Sequence, residues 1–118
     1  MDIESFRLYC LQNLGVTEDF PFDQETLVFK VGGKIFALCH VDDFRTINLK
    51  CDPEKAVELR ELYTGIIPGY HMNKKHWNTV NNDGSVPHAL LVELIDHSYN
   101  LVLSGLPKKE REKLAANQ

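Results

Sequence analysis

The chain has 118 residues, of which 43% are hydrophobic and 25% charged, and a net charge of −4. That length supports one domain with a full core and is too short for two, and no apolar run approaches the roughly 18 residues a membrane helix needs. The acidic balance tells against tight, sequence-independent nucleic-acid binding and leaves room only for a local basic face.

The opening residues, Met1 to Phe6, are acidic where a secretory signal would be basic, so a cytoplasmic location is expected. Ile3, Phe6, Cys10 and Leu14 recur at helical spacing, with Asp2 placed to cap the start and Gly15 to close the end. Val16 to Glu25 contains Pro21 and four acids and reads as an irregular, solvated connection. From Thr26 the period drops to two. Leu27, Phe29 and Val31 alternate with Val28 and Lys30, Gly32-Gly33 supplies a tight turn, and Ile35, Ala37, Cys39 and Val41 alternate with Phe36, Leu38 and His40. A third strand follows, with Ile47, Leu49 and Cys51 inward and Thr46, Asn48 and Lys50 outward.

Asp52-Pro53-Glu54 starts a short helix with a capping carboxylate, a proline at its first position and a dipole-matched acid. Gly65 ends it. The run beyond predicts a strand, a reversal near Asn73 to Lys75 and a second strand from about His76 to Val80. Asn81-Asn82-Asp83-Gly84 is a turn, and Ser85 is placed to cap a long helix from Val86 to about Leu103. Its apolar stripe runs through Leu91, Leu94, Ile95, Ser98, Leu101 and Val102, and Gly105 and Pro107 stop it. Residues 1 to 107 thus form one domain, and residues 108 to 118 a charged tail, either a frayed helix or disordered. The order α-β-β-β-α-β-β-α predicts an α+β fold, an antiparallel five-stranded sheet with helices packed on one face.

Tyr70 to Val80 is the stretch richest in binding chemistry and holds the only tryptophan. Lys74 and Lys75 can neutralise phosphates, Asn73 and Asn78 can donate to phosphates or base edges, and His76 or Trp77 can stack on an unpaired base. Lys30, Lys34, Arg45 and Lys50 would extend that surface. The same residues have plain structural uses, with Trp77 packing, Asn73 turning the chain and the lysines solvated at a hairpin tip. A second class of function is protein docking. Val28, Phe36 and Leu38 would leave an apolar patch on an open sheet face, suited to a protein partner or a self-dimer.

Metal binding has little support, because His40, His71 and His76 come without cysteine or acidic companions at ligand spacing. Catalysis is also unsupported. The three cysteines fall on inward faces, where a thiol stays protonated, Ser98 and Ser104 lack a nucleophile elbow, and no glycine-rich phosphate loop occurs. No enzymatic activity, metal or cofactor is expected.

Tyr70-His71-Met72-Asn73-Lys74-Lys75-His76-Trp77-Asn78, with Ser98-Tyr99 and Ser104-Gly105-Leu106-Pro107, resembles the MmcQ/YjbR family of small bacterial proteins. The similarity spans roughly residues 1 to 110. The resemblance implies a fold akin to secretion chaperones and to the frataxin-like CyaY, and DNA binding through a double-wing arrangement of hairpins. On that reading Lys34, Arg45, Asn73, Lys74, Lys75, His76, Trp77 and Asn78 are the candidate contacts.

Overall fold

The computed structural model of the protein describes residues 1–116. In chain order it comprises α1 (Ile3–Leu11), β1 (Val16–Asp19), β2 (Thr26–Val31), β3 (Lys34–His40), β4 (Thr46–Lys50), α2 (Pro53–Leu62), β5 (Ile66–Pro68), β6 (Trp77–Asn81), α3 (His88–Gly105) and α4 (Lys108–Ala116). The strands make one antiparallel sheet in the order β1-β2-β3-β4-β6-β5. The α+β class, the antiparallel sheet and the meander of β2 to β4 are as expected. The sheet has six strands rather than five, because Val16–Asp19 pairs with the free edge of β2.

Local signals explain most elements. Asp2 accepts from the Ser5 backbone N–H at 2.7 Å and Asp52 from that of Lys55 at 3.2 Å, so two of the three expected N-caps form. Gly32 and Gly33 both take positive φ, 58° and 78°, as the two-residue hairpin turn requires. Ser85 does not cap α3. Its hydroxyl and backbone N–H both donate to Asp83, and the helix starts after Pro87 without a side-chain cap. Of the expected charged tail, 108–116 form α4, and residues 117 and 118 lie outside the described residues.

Side chains of α1, α2 and α3 share one core with one face of the sheet, in which Phe6, Phe29, Ile47 and Ile95 are fully enclosed. Phe6 meets Phe29 edge-on, with ring centroids 5.4 Å apart. Leu114 of α4 packs at the margin of this core, beside Gly15.

The β2–β3 ladder carries a bulge: Phe29 faces Ala37 but Lys30 faces Ile35, so Phe36 is the extra residue. Both Phe36 and Ala37 therefore enter the core, and Phe36 packs edge-on against Tyr99 of α3. The expected outward position of Phe36 is corrected by this bulge, which shifts the side-chain alternation by one from that point. The bulge also marks where β3 and β4 part, their pairing covering only Ala37–Leu49 to Cys39–Ile47. The buried Ser98 hydroxyl fills the gap. It accepts from the Lys50 backbone N–H at 2.9 Å and donates to the Phe36 carbonyl, closing the ladder from a helix.

Candidate functional site

A surface depression of about 480 Å³ lies where β3 and β4 part. Lys34 and Ile35 line it from β3, Lys50 from the end of β4, Trp77 from β6, and Leu101, Val102 and Leu106 from α3 and the residue beyond it. Lys50 and Trp77 are cross-strand partners, so a lysine and a half-buried tryptophan leave the same face of the sheet as neighbours. Three of the basic and aromatic residues singled out in the sequence thus converge.

The preceding loop is held by contacts that periodicity does not reveal. Arg60, on the last turn of α2, donates to Asn78 Oδ1 at 2.7 Å and to the backbone carbonyls of Lys74 and Trp77. Gly69 donates its N–H to the Trp77 carbonyl at 2.8 Å, and a Cβ there would stand 2.7 Å from that of Trp77. Asn73 makes the reversal, its side chain accepting from the Lys75 N–H and its carbonyl from the His76 N–H. Lys74 and Lys75 are exposed on it, and Lys75 borders a shallow groove along α2 beside Glu54 and Glu58. The first strand of this hairpin lies at Ile66–Pro68, further upstream than the motif suggested.

Two of the expected contacts are placed elsewhere. Asn78 is 2% exposed, with its amide between Arg60 and the Ala56 carbonyl, so it belongs to the core. Arg45 is exposed and paired with Asp43 at 3.0 Å, beside the Thr46–Asn81 end of the sheet, opposite the Lys50–Trp77 end. Asn73 and His76 stay in the loop and do not line the depression. Arg60 is the residue that sequence reasoning missed. Its only signal was a base in the last turn of a helix, which the dipole explains equally well.

The apolar docking patch does not form, since Val28, Phe36 and Leu38 are all buried. Cys10, Cys39 and Cys51 are buried free thiols, and burial pushes Cys39 up to about 12 and Cys51 up to about 11. Among the described residues no group of three or more His, Cys, Asp or Glu is arranged to hold a metal ion. No described helix is long and apolar enough to cross a membrane.

Fold and surface together define a small α+β protein whose antiparallel sheet is backed by helices and ends in a basic, aromatic depression. The chain belongs to the YjbR family, whose model matches residues 11–101. It is 46% identical over 96 residues to the uncharacterized protein YbdF of Escherichia coli O157:H7, covering 80% of this chain and 79% of that protein. The uncharacterized protein YjbR of Escherichia coli strain K12 is 33% identical over 115 residues, covering 97% and 98%. The crystal structure of Deinococcus radiodurans protein DR2400, with domain DUF419, matches with a TM-score of 0.91 at 45% identity, covering 97% of this chain and 88% of that one.

Proposed function

We propose that this protein is a non-catalytic DNA-binding protein of the cytoplasm, which contacts single-stranded segments through the Lys34–Lys50–Trp77 depression. The observation that carries the reading is the convergence of two lysines and the sole tryptophan on one depression, with Lys74 and Lys75 exposed in the adjoining loop. Ammonium groups beside an indole suit a phosphate backbone whose unpaired bases can stack. The acidic first quarter, with six acids against one base in residues 1 to 26, would repel DNA elsewhere and confine it to this end.

The single tryptophan makes the test direct. Adding an oligothymidylate at low salt should quench Trp77 fluorescence, and affinity should fall with salt at about −0.7 logarithmic units per phosphate contacted. Lys34→Ala with Lys50→Ala should make that slope shallower by about 1.4, the share of two phosphates. Unchanged fluorescence at micromolar protein and low salt would overturn the proposal.

A further inference from the structure

A second cleft, of about 390 Å³, lies on the sheet face away from the helical core and shares no lining residue with the Lys34–Lys50–Trp77 depression. Its floor is a cross-strand row, Leu38–Asn48–Thr79, flanked by Thr26, His40 and Thr46. Its walls are two loops, one bringing Phe22 and Asp23, the other Tyr70, His71 and Met72.

One loop of the rim is hydrogen-bonded to the floor although its side chains are exposed. The Tyr70 N–H donates to Thr79 Oγ1 at 2.9 Å, which ties the loop to the floor. His71, the one non-glycine residue at positive φ among the described residues (59°), sits next in the chain with its ring 4.0 Å from that of Tyr70. Backbone held in that sparsely populated region needs surrounding structure to maintain it, and such positions concentrate at binding sites. Phe22 and Tyr70 are each 67% exposed, so two aromatic rings stand in water at the mouth of a formed cleft.

The floor supplies a donor open to solvent. Thr79 Oγ1 donates to Asn48 Oδ1 at 2.5 Å, and that orients the amide. Asn48 is only 8% exposed, yet among the described residues its Nδ2 has no acceptor, although no fully enclosed side-chain atom in the fold is left unpaired. The Nδ2 protons are therefore free on the cleft lining. Charge narrows the occupant further: no lysine or arginine lines the cleft, its basic groups are only the imidazoles of His40 and His71, and Asp23 contributes a carboxylate that Glu25 and Thr26 hold in place.

We infer that this cleft binds a flat, uncharged heteroaromatic molecule of nucleobase or nucleoside size, its ring stacked on Tyr70 or Phe22 and a ring carbonyl or nitrogen accepting from Asn48. Aromatic walls around a few fixed polar groups are the usual make-up of a small-molecule site. A phosphate meets no lysine or arginine here, only the imidazoles of His40 and His71, and faces the Asp23 carboxylate, so the site disfavours nucleotides.

The test is an amide-resolved NMR titration of the full chain with adenosine, inosine and uridine, and with their 5′-monophosphates. Saturable shifts at Asn48, Tyr70, His71 and Thr79 are expected with at least one nucleoside, and weaker binding of its monophosphate. Phe22→Ala and Tyr70→Ala alter exposed side chains and should keep the fold. At least one of them should weaken binding roughly tenfold, whereas Lys34→Ala with Lys50→Ala should leave it unchanged. No saturable shift with any nucleoside at millimolar concentration, tighter binding of monophosphates, or indifference to both aromatic substitutions would each overturn the inference.

Discussion

Ser98 does from a helix what a neighbouring strand would otherwise do, satisfying the Lys50 N–H and the Phe36 carbonyl where the bulge has opened the ladder. Ser98→Ala should therefore leave the buried Phe36 carbonyl unmatched, at about 1–3 kcal/mol, and the part-buried Lys50 N–H without its protein partner. Urea unfolding should show the loss, and an unchanged midpoint would mean that the strands close without the hydroxyl. Its neighbour His97 links the same helix to pH. His97 Nε2 accepts the Asp52 N–H at the start of α2. Burial and then the nearby Lys55 hold its pKa below the usual 6.5, outweighing Asp52 and Glu93. Protonation is thus easier in the unfolded chain, so stability is intact above the ordinary histidine range and is lost as pH falls through it towards the folded value. His97→Gln should flatten the dependence of melting temperature on pH between about 7 and 5. An NMR titration placing His97 at or above 6.5 would contradict this.

At the level of elements, the misplacements have separable causes. Val16–Asp19 joins two strand-favouring β-branched residues to two acids, and it is a strand because β2 has a free edge beside it. Two ion pairs then hold it, Glu18 to Arg7 at 2.7 Å and Asp19 to Lys30 at 3.8 Å. The sequence pattern predicts a strand up to a reversal at Asn73 to Lys75, but Gly69 to His76 is loop throughout. It is shaped by Arg60, whose guanidinium gathers one side-chain and two backbone acceptors. Arg60→Ala should destabilise the protein by about 1–3 kcal/mol and speed amide exchange across Lys74 to Trp77 before any other segment. Protection equal to that of the wild type would assign the loop's order to Gly69 and Asn73 alone.

For the whole molecule, the sequence pattern revealed the α+β class, two of the three N-caps, the glycine turn and the core faces of β2, β4 and α3. Each of those is a local property, a spacing or a cap that a few neighbouring residues specify. The density of chemistry in Tyr70 to Val80 made that stretch the expected binding surface. Only the tertiary structure decided how those side chains divide. Trp77 joins Lys34 and Lys50 at one end of the sheet, Asn78 goes to the core, and Tyr70 and His71 frame the second cleft. The physical reason is that a bulge, an edge pairing and a loop clamp are settled by residues distant in sequence. One extra residue at Phe36 reassigns every face before it, and no period within β3 records that β2 has shifted its register.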